Sequence, residues 1–444
     1  MNPKIIILDD DPTGSQTVHS CLLLTRWDVA TLKAALADAA PLFFVLTNTR
    51  GMDAARAADV TREVCGNLKA ALADYAGPVL FVSRSDSTLR GHYPVETDVM
   101  DEILGPFDAT LLTPGFFEGG RITRDGTHYL IVDGTPVPTH ATEFARDSVF
   151  GYTTAFLPDY VAEKTGGRIA AKDVARLTLA DLRAGRAGAW LASLANNAVG
   201  AVDGETPDDY RVFADAVLKA AAAGKRLLFR SAASLLTALA KLPPQPVAAE
   251  SFAALVRDGQ PGAVVVGSHV AKTTAQLTQL LKERGVIGLP LDVARLPDAR
   301  AAVVEELAAS IAHAHARGLT PVVFTSRSEL KFAGTAERLA FGEAVSATLM
   351  DVVQRLPDTL GFLISKGGIT SNDVLSTGLA LTASRVLGQI LPGVTVVQTP
   401  PWHRLPTLPV VIFPGNVGGD AALAEAYRRL APSRAQASPA KLAA

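Results

Sequence analysis

The sequence predicts an α/β protein of two domains, each built on a mostly parallel sheet flanked by helices. The chain has 444 residues, 48% apolar and 19% charged, so it can form two hydrophobic cores and is too apolar to be disordered. Short apolar runs alternate with longer helical patterns almost from end to end, as in parallel strands joined by crossover helices. A proline-interrupted stretch, AKLPPQPVAAE at 240–250, separates two such series.

The first series contains several apolar runs of strand length. Between two of them, DAARAADVTREVCGNLKAALADY places Val60, Val64 and Leu68 on one face of a predicted helix, and a second helix is expected after Pro207. The stretch 115–165 is rich in Gly, Thr and Pro and fits loops or an antiparallel excursion. The predicted strands are IIIL (5–8), LFFVLT (42–47), PVLFVS (78–83), ATLLTP (109–114), AVGAVDGE (198–205) and RLLFRS (226–231).

The second series predicts strands at AVVVGS (263–268), PVVFTS (321–326), GFLISKGG (361–368) and LPVVIFPGN (408–416). A helical pattern follows each of the first three, and 362–388 is interpreted as a strand, a glycine-rich turn and a helix. We therefore expect an N-terminal domain over 1–240, a linker over 241–262, a C-terminal domain over 263–430 and a frayed tail over 431–444.

Charge and composition exclude several classes of protein. The formal charge is −2 and the basic residues are not clustered, so binding to nucleic acid or an anionic membrane is not expected. The two cysteines, Cys21 and Cys65, indicate a reducing compartment, the cytoplasm, rather than a disulfide framework. No apolar run reaches the roughly 18 residues of a membrane span, and the N-terminal run is too short for a signal peptide. Since α/β proteins of this size often dimerise, a homodimer is one expectation.

Glycine and small polar residues follow the strands of the second series. They occur as Gly-Ser at 267–268, Thr-Ser-Arg at 325–327, KGGITSND at 366–373 and PGNVGG at 414–419. Glycines beside helix N-termini favour a phosphate-bearing ligand, such as a nucleotide, at the carboxyl ends of parallel strands. The alternative is a set of ordinary turns with good helix caps. GSHVAKTT lacks the second glycine of a P-loop, and no G-x-G-x-x-G occurs.

Carboxylates, hydroxyls and arginines follow the strands of the first series. Asp9, Asp10 and Asp11 come directly after the first strand, and the later segments are TNTRG (47–51), SRSDSTLRGHY (83–93) and TPGFFEGGRITRDGTHY (113–129). Arginine forks suit a substrate carboxylate, while aspartates can accept from substrate hydroxyls or take their proton. A polyhydroxylated acid would satisfy both sets, although the same residues could form an internal ion-pair network. The histidines at 19, 92, 128 and 140 lack metal-ligand spacing and are interpreted as capping or packing residues.

Taken in order, the motifs of the chain resemble those of the four-carbon acid sugar kinase family, formerly a domain of unknown function. The resemblance covers nearly the whole chain and implies transfer of a phosphoryl group from ATP, with Mg²⁺, to the terminal 4-hydroxyl of a tetronate such as D-erythronate, D-threonate or 3-oxo-tetronate. The matching segments are DDDPTGSQTV, TNTR, SRSDSTLRG, DGTPVPTHATEFARDSVFGY, VDGET, LFRSAASL, VVGSHVAKTTAQL, SKGGITSNDVL and PGNVGG.

The resemblance also implies which residues bind each substrate in a cleft between the domains. Asp86 is the expected base or orienter of the attacking hydroxyl, with Asp10 as the competing candidate, and Arg50 and Arg84 would hold the carboxylate. No metal ligand is assigned. The implied acid-binding residues are Asp10, Asp11, Arg50, Arg84, Ser85, Asp86 and Ser87; the implied nucleotide-binding residues are Ser268, Gly367, Gly368, Ile369, Thr370, Gly415 and Asn416.

The chain departs from the family pattern at three places. Pro12 follows a third aspartate, Ile369 stands where an acidic residue is common, and Phe413 and Pro414 replace a Lys-Ser pair before Gly415. Two other functions stay open on the sequence alone. One is an isomerase or aldolase acting on the same acids without ATP; the other is a metabolite sensor that binds both ligands without turnover.

Overall fold

The computed structural model describes residues 3–268, 270–326, 335–415 and 417–431. The chain divides into two compact units, residues 1–243 and 244–444. In both units strands alternate with helices, and the predicted α/β class is confirmed.

The first unit is built on a parallel sheet with the strand order β2-β3-β1-β4-β11-β5-β10-β9. Its strands are β1 (Lys4–Asp9), β2 (Leu22–Leu24), β3 (Leu42–Leu46), β4 (Val79–Arg84), β5 (Ala109–Thr113), β6 (Arg121–Arg124), β7 (Thr127–Val132), β8 (Thr135–Pro138), β9 (Ala175–Leu177), β10 (Ala198–Val202) and β11 (Leu227–Ser231). Its helices are α1 (Val29–Ala37), α2 (Ala54–Leu72), α3 (Val95–Leu104), α4 (Leu157–Lys164), α5 (Leu179–Arg183), α6 (Ala187–Ser193), α7 (Pro207–Ala222) and α8 (Ala233–Ala240).

Local sequence signals account for the longer helices of this unit. Asp53 caps α2 by accepting a hydrogen bond from the amide of Arg56 at 2.8 Å, and the predicted stripe of Val60, Val64 and Leu68 is buried. Thr206 and Asp209 form a reciprocal capping box at the start of α7, where Pro207 occupies the first turn.

The irregular stretch after β5 contains a small antiparallel sheet of β6, β7 and β8, which confirms the predicted antiparallel excursion. Isolated bridges join Thr123 to Gly204 and Thr127 to Phe156. The excursion is therefore anchored next to the end of β10, on the side of the sheet where the parallel strands end.

The second unit has the strand order β13-β14-β12-β15-β18-β17-β16, parallel from β13 to β18 and antiparallel from β18 to β16. Its strands are β12 (Ala263–Val266), β13 (Val286–Leu291), β14 (Thr320–Thr325), β15 (Leu363–Lys366), β16 (Ala383–Leu391), β17 (Val394–Gln398) and β18 (Pro409–Phe413). Its helices are α9 (Ala271–Leu280), α10 (Leu296–Ala316), α11 (Thr335–Gln354), α12 (Gly368–Asp373) and α13 (Ala422–Leu430).

The sequence predicted a helix that runs to residue 388, and this prediction is wrong over the second half of the helix. The chain leaves α12 through a π-helical turn, Val374–Gly378, and enters β16 at Ala383. Burial alternates along β16: Ser384, Val386, Gly388 and Ile390 are buried, and the residues between them, 385, 387 and 389, are half-buried. This period of two is the signature of a strand, and pairing with β17 outweighs the helical spacing of the apolar residues.

The segment predicted as a linker includes a 3-10 helix, Ala249–Leu255, whose Phe252 is fully buried in the core of the second unit with Phe362 and Tyr427. The predicted tail begins at the buried Ala431, and its remainder lies outside the described residues. None of the described helices has both the length and the apolar character needed to cross a bilayer.

Candidate functional site

The polar strand ends of the first unit meet at one edge of its sheet. Strand β1 lies between β3 and β4, so Asp9 pairs with Leu46 on one side and Arg84 on the other. Strand β11 continues the sheet, with Ser231 opposite Arg84. Because all these strands are parallel, the residues that follow them gather at the same edge, as the sequence predicted.

Arg50 lies at the centre of this cluster and contacts two of the three aspartates. Its Nε and Nη2 donate to the two carboxylate oxygens of Asp10 at 3.1 and 2.5 Å, and its Nη1 donates to Asp11 at 3.2 Å. Ser85 Oγ donates to the same Asp10 carboxylate at 2.6 Å. Asp10 is only 1% exposed, whereas the side chain of Asp11 is 20% exposed. Arg50 therefore neutralises Asp10 and Asp11, and Asp10 occupies the edge of its guanidinium formed by Nε and Nη2.

Asp9 is fully buried beneath the other two aspartates. Arg84 Nη1 lies 3.6 Å from its Oδ1, and its Oδ2 has no hydrogen-bond partner among the described residues. Burial raises the pKa of Asp9 to about 8, because the loss of hydration outweighs the attraction of Arg84. Asp9 is therefore protonated at neutral pH. Arg84 itself is 4% exposed, so its charge is directed at Asp9, and its predicted contact with a substrate carboxylate stays a prediction.

Gly14 explains why a glycine completes the opening motif. A Cβ atom at this position would lie 2.0 Å from Asp9 Oδ2. The turn after β1 folds back over the buried carboxyl, and only glycine allows so close an approach. The preceding Thr13 donates from its amide to Asp11 at 2.8 Å, which fixes the Asp11 carboxylate.

Asp86 is held in its ionised form. Burial raises its pKa, but the charges of Arg50 and Arg90 and hydrogen bonds from Arg90 and Thr88 outweigh that effect and keep the pKa well below the usual range. Arg90 Nε donates to Asp86 Oδ2 at 2.8 Å, and the Asp86 side chain is 14% exposed. Asp86 is thus a permanent acceptor at the surface of the cluster.

The histidines hold loops in place. His128 Nε2 bonds the carbonyl of Ser87 at 2.8 Å, and His128 Nδ1 bonds Thr123 Oγ1 at 2.9 Å. Burial lowers the pKa of His128 to about 4, so it is neutral and links the excursion to the 83–93 segment. His92 bonds the carbonyls of Thr49 and Met52. These contacts agree with the interpretation of the histidines as capping and packing residues.

The sequence interpretation passed over Arg230, which lies on β11. Its Nη1 donates to Ser83 Oγ at 2.7 Å and to Glu96 Oε2 at 2.6 Å. It lines a small pocket together with Ser85, Asp86, Arg90 and Ser231. The available signal was a charged residue within the buried run LLFRS, since an arginine is seldom fully buried without a partner.

In the second unit, glycines allow close contact between the ends of β12 and β15. A Cβ at Gly267 would lie 2.2 Å from Thr370 Oγ1, and Gly367 has φ +119°. The Gly367 amide donates to the carbonyl of Phe413 at 2.9 Å, which joins the turn to the end of β18. Ser268, the Gly367–Thr370 turn and Gly415 are thus the residues that follow three neighbouring strands.

Three buried side chains fix the loop after β18. Lys366 Nζ donates to the carbonyls of Pro414 and Gly415 at 2.5 and 3.0 Å, and Gln276 Nε2 donates to those of Val417 and Gly419 at 2.9 and 3.0 Å. Thr273 Oγ1 contacts the Gly415 carbonyl at 3.4 Å. Burial, together with the charge of Lys272, lowers the pKa of Lys366 to about 7. The loop is therefore held by hydrogen bonds to its carbonyls.

The remaining predicted nucleotide residues differ in exposure. Ile369 is 68% exposed at the start of α12, Thr370 is 8% exposed, and no described atom lies within 4 Å of a Cβ placed on Gly415. Asn416 and Arg327 lie outside the described residues. Within the described ranges, no group of three or more His, Cys, Asp or Glu side chains is placed to hold a metal ion.

Comparison with known proteins adds two matching family models and several relatives. Residues 5–239 match a sugar-binding N-terminal domain and residues 263–423 match a nucleotide-binding C-terminal domain. A D-erythronate kinase of Heliobacterium modesticaldum is 31% identical over 167 residues, 36% of each chain. A D-threonate kinase of Bordetella bronchiseptica is 32% identical over 164 residues, 35% of this chain and 38% of the relative. These matches thus span little more than a third of each relative.

Solved structures share the fold. A Haemophilus influenzae protein of the DUF1537 family has a TM-score of 0.67 at 17% identity, covering 96% of this chain and all (100%) of that one. A protein of Salmonella typhimurium LT2 has a TM-score of 0.69 at 18% identity, covering 96% and 98%. The first family model alone spans more than half of the chain, and both occur in the order that the motifs predicted. The chain therefore belongs to the four-carbon acid sugar kinase family.

Proposed function

We propose that this protein is an ATP-dependent kinase that phosphorylates the terminal 4-hydroxyl of a four-carbon sugar acid. The observation that carries the proposal is the difference between the two strand-end clusters. The first unit offers an ionised aspartate among arginines and hydroxyls, and the second offers glycine-bordered backbone at three neighbouring strand ends. A kinase acting on a hydroxylated acid needs both kinds of site.

In this proposal Asp86 accepts a hydrogen bond from the attacking hydroxyl and orients it. Its carboxylate is ionised over the whole physiological range and partly exposed, so it is ready to accept without a prior proton loss. Phosphoryl transfer passes through a loose transition state in which positioning matters more than proton abstraction. Asp10 is the alternative, but both of its oxygens already accept from Arg50, and one also accepts from Ser85.

The nucleotide would bind at the second cluster. The backbone amides that follow Gly367 suit phosphate oxygens, and the buried Lys366 Nζ lies at the same strand ends, where it donates to the Gly415 carbonyl. Mg²⁺ takes many of its ligands from substrate phosphates and water, so a nucleotide can bring it to a site where the described residues form no cluster of three His, Cys, Asp or Glu side chains. When bound, Mg²⁺ would neutralise phosphate charge.

A coupled assay tests the proposal. The full chain is incubated with ATP, Mg²⁺ and each of a panel of tetronates, pentonates and their 3-oxo forms, and ADP release is measured. ADP formation that depends on an acid supports the kinase. Consumption of an acid without ATP identifies an isomerase or aldolase instead, and tight binding of both ligands without turnover identifies a sensor; either result contradicts the proposal.

A further inference from the structure

Arg230 is a buried arginine in the interior of the first sheet. On β11 it pairs in register with Ser83 on β4 and Leu112 on β5, and it is 8% exposed. Its Nη1 donates to Ser83 Oγ and to Glu96 Oε2, while Glu96 Oε1 accepts from Thr49 Oγ1 at 2.6 Å. Three elements therefore hold this guanidinium in a single orientation.

The opposite edge of the same guanidinium is not engaged. Among the described residues, no acceptor forms a hydrogen bond with Arg230 Nε or Nη2. Gly91, with φ +124°, passes close to this edge: a Cβ there would lie 2.6 Å from Arg230 Nη2 and 2.2 Å from Ser85 Oγ. A glycine at this position thus leaves room beside Nη2 that any side chain would fill.

Arg230 lines a pocket whose walls suit a small hydroxylated anion. Ser85, Asp86, Arg90 and Ser231 supply polar atoms, and Tyr160 and Leu112 close the apolar side. Two other arginines of the cluster use their Nε on a carboxylate: Arg50 places its Nε–Nη2 edge on Asp10, and Arg90 places its Nε on Asp86. Arg84 is 4% exposed, lies 3.6 Å from Asp9 and does not line this pocket.

We propose that Arg230 binds the carboxylate of the sugar acid through its Nε and Nη2, with Asp86 reading a hydroxyl of the same molecule. The assignment rests on the proposed function of this site. Nε–H and Nη2–H point in parallel and match the two oxygens of a carboxylate. Because Ser83 and Glu96 already fix the guanidinium, little further ordering is needed when the acid binds. Glu96 balances the buried charge of Arg230 in the free protein.

The test separates carboxylate recognition from a structural role. Binding of D-erythronate and D-threonate to the full chain is compared with binding of the corresponding uncharged carboxamides, for the wild type and for Arg230→Lys. Loss of a bidentate contact to a charged group should weaken binding of the acid about 10- to 100-fold. Binding of the carboxamide should change less than about threefold, and the KM for ATP should be unaltered.

Two further variants and an unfolding measurement serve as controls for this test. The double variant Arg230→Met with Glu96→Gln removes both buried charges, so it tests the same loss without leaving Glu96 unpaired. Arg226→Lys changes an exposed arginine just before the same strand and should leave both affinities unchanged. Thermal unfolding without ligand shows whether each variant is folded.

Two results would overturn the assignment: equal losses for acid and carboxamide in both Arg230 variants, or an unchanged preference for the acid. Failure of the proposed function looks different, since the wild type itself would then form no ADP in the presence of any acid.

Discussion

At the residue scale, the role of Asp86 follows from its neighbours. Replacing Asp86 by Asn keeps the shape but removes a charge that Arg50 and Arg90 hold in place. We expect kcat to fall by more than about tenfold, while the KM for ATP changes little, because the contribution of an acceptor to the attacking hydroxyl is typically larger than that. Steady-state kinetics with the preferred acid measure this.

The matched control for Asp86 is Asp147→Asn. Asp147 faces the same Arg90 at 3.6 Å but does not line the pocket of Ser85 and Asp86. A kcat within about tenfold of wild type for Asp86→Asn would exclude Asp86 as the base or orienter. The low pKa of Asp86 also means that any activity loss between about pH 5 and 7 comes from another group.

A second residue-scale prediction concerns Asp9 and pH. Its pKa is raised in the folded protein to about 8, so between about pH 4 and 8 the folded state holds a proton that the unfolded state has lost. The Asp9 contribution to the free energy of unfolding therefore falls as pH rises through this window, by up to about 1.4 kcal/mol per pH unit. Asp9→Asn, which imitates the protonated carboxyl, should flatten this part of the stability profile.

Urea unfolding of both proteins at several pH values between about 5 and 9 measures the difference, since this range spans the raised pKa. Below about pH 4 the lowered pKa values of Asp11 and Asp86 act in the opposite direction, and stability is lost as they take up protons. A wild type and an Asp9→Asn variant with parallel profiles would contradict the assigned protonation of Asp9.

At the scale of elements, the turn after β1 depends on Gly14. The Cβ of Gly14→Ala would meet Asp9 Oδ2 at 2.0 Å, and Asp9 has no space to move because it is fully buried. We expect a loss of roughly 1–3 kcal/mol of stability, as for other overpacked buried positions. Combining Gly14→Ala with Asp9→Ala should recover part of this loss, because the clashing carboxyl is gone. Strictly additive losses in the double variant would show that the two residues are not coupled.

In the second unit, Lys366 on β15 holds the loop that follows β18. Its Nζ binds two loop carbonyls and lies 4.5 Å from the ring centroid of Phe413, the position at which the family resemblance expects a lysine. A lysine Nζ is thus present at this strand end, supplied by the neighbouring strand. Lys366→Met should weaken ATP binding about tenfold, since the two hydrogen bonds that hold the loop carbonyls are lost, and leave acid binding unchanged.

Calorimetric titration with ATP and Mg²⁺ measures this effect. Lys282→Met is the control, because Lys282 is exposed and its Nζ donates to Gln279 Oε1 three residues earlier. If folded Lys366→Met binds ATP as tightly as the wild type, ATP binding does not depend on the contacts of Lys366 with this loop. That result would contradict the prediction.

At the scale of the whole molecule, each unit should respond to its own ligand. The sheets of the two units end in different chemistry, aspartates and arginines in one and glycines in the other. Hydrogen exchange of the full chain should therefore slow after β1, β3 and β4 when a tetronate binds, and after β12, β15 and β18 when ADP with Mg²⁺ binds. Protection by the nucleotide confined to the first unit would contradict this division.

The sequence by itself determined the α/β class, most strand positions and the two groups of polar strand ends. These features depend on local patterns, because a buried strand needs a run of apolar residues and the parallel arrangement places all strand ends on one edge. It also placed Asp10, Asp11, Arg50 and Asp86 at one edge of the first sheet, where the structure finds them.

Only the tertiary structure decided which of these polar groups are charged and which remain available. Three consecutive aspartates look alike in the sequence, yet Asp9 is buried and protonated while Asp11 is ionised and partly exposed. The pairing of Arg230 with Glu96, separated by 134 residues, and the β16–β17 hairpin were likewise not predicted. The physical reason is common to all three: protonation, ion pairing and strand pairing depend on burial and on neighbours that are distant in the chain, and local periodicity carries no record of them.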